Sequence, residues 1–356
     1  MPKVAMLLSG GVDSSVALAR LVASGEHDIT AYYLKIWLED ELAYLGDCPW
    51  EEDLKYATAV AEKLGVPLHV VPLQAEYHSR VVEYVLSEAR AGRTPNPDIF
   101  CNSLVKFGAF NETVGKDYDY IATGHYAQVD HSPSPSRLLR AIDPVKDQTY
   151  FLSCLSPSQL GRALFPIGDM QKSDLRAEAA RLGLPTATRP DSQGICFLGQ
   201  IPYGDFLAHH LGTQLGDIVE QSSGRVLGQH QGHYRYTLGQ RQNLRINGGP
   251  WYVVAKDVTT NTVYVVHGSS IEERLVSTVT LTELSWLTDT LPVVGEALQV
   301  KLRHGPGERT ATIAAFGGDT MTLDLSESEK GVAPGQFVAL YRGDQCLGSG
   351  MIADQS

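Results

Sequence analysis

The chain has 356 residues, 43% apolar and 20% charged, which excludes an intrinsically disordered protein and calls for two or three domains. With 29 Lys and Arg against 41 Asp and Glu, the net charge of −12 excludes nucleic-acid binding by bulk charge, though not a local basic face. No apolar run approaches the ~20 residues of a membrane span, and "MPKVAMLLSGG" is too short in its apolar part for a signal peptide, so the expected compartment is cytoplasmic with no membrane partner.

"KVAMLL" (Lys3 to Leu8) reads as a buried strand, "SSVALARLVASG" as a helix closed by Gly25, and "ITAYYLKIWL" as a second strand. "LKYATAVAEKLG" is a helix with a glycine stop, "LHVVPL" a third strand and "YHSRVVEYVLSEARAG" another helix. The loop "GRTPNPDIFCN" (Gly92 to Asn102) follows, stiffened by two prolines, and leads into a helical stretch through "KFGAF". "YDYIATGHYAQV" reads as one further strand and "HSPSPS" as a polar loop. "KSDLRAEAARLGL" reads as a helix with Ser173 as its N-cap. Strands alternating with helices predict an α/β domain built on a parallel sheet, with ligands at the carboxyl ends of the strands. After Tyr203 the texture changes. "GPWYVVAKDVTTNTVYVVHG" reads as a hairpin turning at Thr259 to Asn261, and from Leu275 only short strands remain, as in a small β-barrel. The expected division is a catalytic domain over 1–203, a small central domain over 204–270 and a C-terminal β-barrel over 271–356.

The five cysteines (Cys48, Cys101, Cys154, Cys196, Cys346) are scattered without a C-x-x-C pair, so neither a zinc site nor a disulfide scaffold is indicated and no metal ligands are assigned. Cys154 and Cys346 lie in apolar stretches and read as core. Cys48 sits in the acidic "EDELAYLGDCPWEED", read as a lid over the site. His230 and His233 lack companions for a metal and read as structural or RNA-facing. "GRVLGQHQGHYRYTLGQRQNLR" carries Arg225, Arg235, Arg241 and Arg245 without an acid and with interleaved aromatics, a pattern suited to RNA phosphates and unstacked bases.

"LLSGGVDSS" (Leu7 to Ser15) joins the first strand to the first helix. It lacks the G-K-[ST] of a Walker loop and is not G-x-G-x-x-G. Gly10 and Gly11 let backbone approach a ligand, and the loop amides with the helix N-terminus form an anion site. The S-G-G-x-D-S pattern resembles the pyrophosphate loop of the N-type ATP pyrophosphatases, which adenylate an oxygen of their substrate for displacement by nitrogen or sulfur. The remaining motifs narrow the resemblance: "GRTPNPDIFCN" with "KFGAF", "ATGHYA", "KDQTYFLSCL", "DSQGICFLG", "HQGHYRYTLGQRQNL" and "APGQFVALY". In this order, over nearly the whole chain, they resemble the tRNA-specific 2-thiouridylases of the MnmA/TrmU family.

That resemblance implies ATP-dependent thiolation of carbon 2 of the wobble uridine in tRNAs for Lys, Glu and Gln, with ATP and magnesium. Carried over, Leu7, Leu8, Ser9, Gly10, Gly11, Val12, Asp13 and Ser14 would hold ATP phosphates, and Leu34 and Gly124 the adenosine. Asn96, Pro97 and Asp98 would lie against the target base. Cys101 would be the nucleophile, Cys196 the persulfide carrier, and the two would form a transient disulfide, both on loops open to a sulfur donor. Asp98 is a candidate acid/base, with a loop-capping Asx-turn as its plain alternative. His125, Lys146, Asp147, Gln148, Arg303, His304 and Gln336 would meet tRNA. The family carries tyrosine where His304 stands and Lys-Gly where Gln242 and Asn243 stand. The implied partners are tRNA and a persulfide sulfur donor, and the expected state is a monomer. Two alternatives stay open: another adenylating pyrophosphatase, and the same thiolation through an iron–sulfur cluster held by the two cysteines.

Overall fold

The computed structural model describes residues 1–36, 50–191, 201–270, 275–305 and 307–354. Cys48 with residues 39–49 of its acidic segment, and Cys196, lie outside the described residues, while Glu51, Glu52 and Asp53 of that segment lie in the first turn of the helix Trp50–Leu64. The N-terminal part is a parallel sheet in the order β3–β2–β1–β4–β7, formed by β1 (Lys3–Leu7), β2 (Asp28–Lys35), β3 (Leu68–Pro72), β4 (Tyr120–Ala122) and β7 (Ala163–Leu164). The helix Val12–Ser24 buries Val12, Val16, Ala17, Leu18 and Leu21 on the sheet. It stops at Gly25, whose φ of 64° and N–H bond to the Val22 carbonyl make a left-handed cap. Each fully buried leucine there is worth about 2–3 kcal/mol.

Two expectations fail here for local reasons. "YDYIATGHYAQV" is not one strand. It ends the parallel sheet at Ala122 and resumes as β5 (Gln128–Asp130), which pairs with β6 (Arg137–Leu139) in a different sheet. Ser173 is not an N-cap: the helix is Lys172–Arg181 with Gln171 at the cap position. The Asp143 carboxylate, remote in sequence, accepts the Lys172 N–H at 3.0 Å and takes over the capping role.

The segment after "GRTPNPD" is helical from Pro97–Phe100 through a π-helix, Cys101–Ala109, to Phe110–Thr113. Widened π-turns leave carbonyls in need of donors. Arg80 donates to Leu104 O (3.1 Å), and Gln159 to Ser103 O (2.8 Å) and Phe107 O (3.1 Å).

A central sheet follows, ordered β10–β11–β8–β9, from β8 (Gly216–Glu220), β9 (Val226–His230), β10 (Trp251–Asp257) and β11 (Thr262–His267). β10 and β11 form the expected antiparallel hairpin. The last part is a closed barrel, β12–β15–β14–β13–β16–β17, in which β17 returns to β12. Its strands are β12 (Val276–Trp286), β13 (Ala297–Lys301), β14 (Arg309–Gly317), β15 (Thr320–Glu329), β16 (Phe337–Arg342) and β17 (Gln345–Ile352).

β16 is apolar at consecutive positions because both of its faces are covered. Val338 and Leu340 fill the barrel, while Phe337, Ala339 and Tyr341 pack into the core of the N-terminal part. The β5–β6 hairpin also crosses over, with Leu138 paired to Cys346 and Leu139 to Gln345 at the start of β17. Cys346 is buried on β17 and Cys154 packs partly buried with its Sγ 3.0 Å from Ser349 Oγ, as expected of core thiols; burial pushes their pKa values to about 12 and about 11.

Candidate functional site

β1 is the point where strand order reverses, since its neighbours β2 and β4 lead away in opposite directions. A crevice at such a point is the usual ligand site of an open parallel sheet. Leu7 and Leu8 at the end of β1, Leu34 at the end of β2 and Gly124 beyond β4 all lie at this carboxyl edge. Gly10 has φ +78°, and a Cβ there would sit 2.2 Å from the Asp53 carbonyl oxygen. A Cβ on Gly124 would sit 2.6 Å from the Ser14 nitrogen. Both positions therefore demand glycine.

The loop is tied to itself. Ser14 Oγ accepts the Ser9 N–H (3.2 Å), lies 3.1 Å from Ser9 Oγ and donates to Gly11 O (3.1 Å). Gly11 is the N-cap of the helix Val12–Ser24, and no side chain caps it. The amides of that turn are therefore available to an anion.

Basic side chains surround the loop. Lys172 Nζ lies 2.6 Å from Asp13 and 2.8 Å from Asp191. Asp191 also pairs with Lys146 (2.9 Å) and Arg176 (2.6 Å). Burial raises the Asp191 pKa, but the hydrogen bonds and charges of Lys172 and Lys146 outweigh it and hold the carboxyl well below the usual range. Arg189 donates to Gly10 O at 2.7 Å and pairs with Asp53. Tyr126 donates to Asp13 at 3.0 Å. Lys172 and Arg176 were not singled out from sequence, where "KSDLRAEAARLGL" shows only a charged helix, nor was Arg189 in the loop beyond it. The signal available was Asp191 at the head of "DSQGIC".

The Asn96–Cys101 segment forms a second cluster, held by the barrel. Gln336 Nε2 donates to the carbonyls of Thr94 (3.0 Å) and Pro95 (2.9 Å), and Thr94 N–H donates to Pro334 O (2.8 Å). Asn96 Nδ2 reaches Tyr150 Oη (3.2 Å) and Gln336 Oε1 (3.4 Å). Pro97 is buried at the first turn of its helix, and the Asp98 carbonyl accepts from Asn102 Nδ2 at 3.1 Å. Cys101 is 1% exposed and begins the π-helix. The expectation that it lies on an open loop is thus corrected: it is a buried helical thiol among Ile99, Val105 and Phe110.

The expected tRNA-facing residues divide. Lys146 is partly exposed. The Asp147 carboxylate points inward, 2.7 Å from the fully buried Lys301 Nζ and 2.9 Å from Thr149 Oγ1. Gln148 Oε1 accepts the Tyr126 N–H at 2.9 Å. His125 is held by Thr123 Oγ1 (2.7 Å), and burial, with the Lys106 charge, drives its pKa down so that the ring is neutral. Arg303 is exposed and pairs with Glu329 at 3.1 Å. His304 packs on Phe151, ring centroids 4.5 Å apart, where burial and then Lys301 lower its pKa. The segment 146–151 thus runs from the glycine loop, through Gln148 and Tyr126, to Asn96, through Tyr150.

In the central part, His230 and His233 are buried. His230 Nδ1 accepts the Gly232 N–H (3.0 Å), and Asn261 Oδ1 accepts the His233 N–H (3.1 Å), a structural role. Arg225 and Arg235 pair loosely with Glu220 and Asp205, both at 3.4 Å. Arg241 and Arg245 line a cleft of about 390 Å³ over Trp251. Among the described residues no group of three or more His, Cys, Asp or Glu is gathered to hold a metal, and no helix is long and apolar enough to cross a membrane.

Residues 2–200 match the family described as tRNA methyl transferase HUP domain, residues 204–267 the tRNA methyl transferase PRC-barrel domain, and residues 276–352 the aminomethyltransferase beta-barrel domain. The chain is 43% identical over 359 residues to tRNA-specific 2-thiouridylase MnmA of Parabacteroides distasonis, covering 99% of each. It is 44% identical over 358 residues to the MnmA of Porphyromonas gingivalis ATCC 33277, covering 98% of each. Among solved structures, the U34-tRNA thiolase NcsA of Methanococcus maripaludis with its [4Fe-4S] cluster is 17% identical, with a TM-score of 0.36 over 55% of this chain and 61% of its own. A likeness that low carries no argument about chemistry.

Proposed function

The chain belongs to the tRNA-specific 2-thiouridylase family, and from that membership we propose how its own residues thiolate a tRNA uridine. The enzyme is a tRNA sulfurtransferase. The observation that carries its mechanism is the crevice where Gly10 and Gly124 keep side chains away from an uncapped helix N-terminus ringed by Lys172, Lys146 and Arg189.

The fit to ATP is chemical. Bare amides and cations suit a polyphosphate, and the glycines suit close backbone approach. Leu7 to Ser14 would hold the phosphates, and Leu34 and Gly124 the adenosine. Asp13, in the loop itself, is a carboxylate that would hold a magnesium ion accompanying the phosphates. The metal would offset charge on the departing pyrophosphate. Lys172 would move from Asp13 and Asp191 toward that same charge.

The uridine C2 oxygen leaves poorly. Once it attacks the α-phosphate and pyrophosphate departs, it leaves as AMP. Cys196 would carry the persulfide whose terminal sulfur bonds to C2. Cys101, as thiolate, then attacks the Cys196 sulfur, forming the Cys101–Cys196 disulfide as the S–S bond to the new thiouridine breaks. A dithiol reductant restores both thiols. Asn96, Pro97 and Asp98 would lie against the base, with Asp98 as acid/base. Because Cys101 is buried beside them, base binding is the event that would give it access to the reacting sulfur.

The wobble uridine of tRNAs for Lys, Glu and Gln is the proposed target, and His125, Lys146 to Gln148, Arg303, His304, Gln336 and the Arg241–Arg245 cleft are the proposed tRNA-facing elements. Domains over 1–203, 204–270 and 271–356, a cytoplasmic monomer and an external persulfide donor complete the reading. The test is thiolation of tRNA with ATP and a sulfide source by wild type, Cys101→Ser and Cys196→Ser. Loss in both is expected, and activity retained in both overturns the cysteine assignment.

A further inference from the structure

Asn96 is 8% exposed, and its carboxamide has one donating end and one accepting end. Fixed neighbours decide which end faces outward. Gln336 Nε2 lies 3.0 Å from the Thr94 carbonyl and 2.9 Å from that of Pro95. Carbonyl oxygens only accept, so the Gln336 amide has a single orientation, with Oε1 turned to Asn96 at 3.4 Å. That oxygen also only accepts, so the Asn96 atom facing it is Nδ2.

Tyr150 fits the orientation that Gln336 sets. Its buried hydroxyl donates its one proton to the Phe337 carbonyl at 3.2 Å. It is then an acceptor toward Asn96, which again requires Nδ2, at 3.2 Å. Both Asn96 amide protons are thereby engaged. Oδ1 accepts no hydrogen bond among the described residues.

We propose that Asn96 Oδ1 is the acceptor that selects uracil over cytosine, and that Gln336 and Tyr150 are positioning residues that hold it in that sense. The proposal rests on the reading that Asn96 lies against the target base. Uracil presents an N3–H donor, whereas cytosine presents a bare N3 lone pair. An oxygen at this position bonds the first and repels the second. A rotated amide would offer N–H instead and reverse the preference. Gln336 thereby acts on the base from the barrel, through Asn96.

The test is equilibrium binding, without ATP, of tRNA transcripts carrying uridine, 3-methyluridine or cytidine at the wobble position. Wild type is expected to prefer uridine over both others by about tenfold, the worth of one hydrogen bond. Gln336→Ala and Tyr150→Phe are each expected to shrink that ratio, and the double variant to bring it to about one. Tyr150→Phe removes a single oxygen from a ring that stays buried, so it remains informative if Gln336→Ala folds poorly. Mere loosening would weaken all three RNAs alike and leave the ratio unchanged. Equal binding of uridine and 3-methyluridine by wild type, or an unchanged ratio in the double variant, overturns the proposal. Absence of both binding and thiolation in wild type instead overturns the substrate reading beneath it.

Discussion

The glycine loop and the Asn96 segment, two clusters linked through residues 146–151, are built in opposite ways. The loop is organised by neighbours within a few residues and by ion pairs at the surface, Asp13 with Lys172 and Asp191 with three cations. The Asn96 segment is organised by neutral hydrogen bonds from Gln336, 240 residues away in sequence, and by packing against β16. A polyphosphate brings its own charge and can displace ion pairs, so a charged, adjustable cradle suits it. A neutral base is told from its rivals only by the direction of donors and acceptors, so its cradle must be stiff and dry.

The largest expected effect tests the stiff half. Lys301→Met leaves the Asp147 carboxylate buried without its 2.7 Å partner and should cost about 3–5 kcal/mol of stability, read from denaturant midpoints. Adding Asp147→Asn should recover most of the loss. A small effect of the single substitution would show that the buried half is less rigid than the comparison requires.

Lys172→Met tests the adjustable half. It should cost about 1–2 kcal/mol of stability by removing charge-assisted hydrogen bonds to Asp13 and Asp191, while lowering kcat about 100-fold, the scale of losing one group that stabilises transition-state charge. An unchanged kcat would remove Lys172 from the polyphosphate's surroundings. Asp191→Asn should cost about 2 kcal/mol at neutral pH by removing charge-assisted hydrogen bonds. Because the folded state depresses this pKa, its contribution is full above the unfolded value of about 4 and is lost as pH falls below it toward the folded value. The wild-type advantage over Asp191→Asn should therefore narrow from pH 7 to pH 3, and a constant difference would contradict the ion-pair account. The smallest effect separates the halves directly. Raising salt should increase the KM for ATP severalfold through screening, with the uridine-to-cytidine ratio unmoved.

The glycine loop was legible because Ser9, Gly11 and Ser14 bond to one another within it. The barrel strands were legible from short apolar runs between turns. What stayed hidden came from distant chain. "YDYIATGHYAQV" reads as continuous, yet Gly124 abuts the Ser14 backbone and sends the two halves to different sheets. Ser173 looked like a cap because the true acceptor is Asp143. The π-helix at Cys101 has no sequence signature, since its spare carbonyls are satisfied by Arg80 and Gln159. Gln336 was read as a tRNA contact from its motif, and nothing in "APGQFVALY" announces that its amide holds Thr94 and Pro95.

The β5–β6 hairpin has a consequence for synthesis. A chain emerging from its N-terminus completes the parallel sheet and the glycine loop early, but β6, paired with β5 on one side, gains its second partner only when Gln345 and Cys346 appear. Until then that edge lies uncovered, and neither Gln336 nor Phe337 holds Asn96 and Tyr150. A product broken off before the barrel would keep the glycine loop but leave Asn96 and Tyr150 without Gln336 and Phe337, so under the proposed reading it would lack the means to tell one base from another.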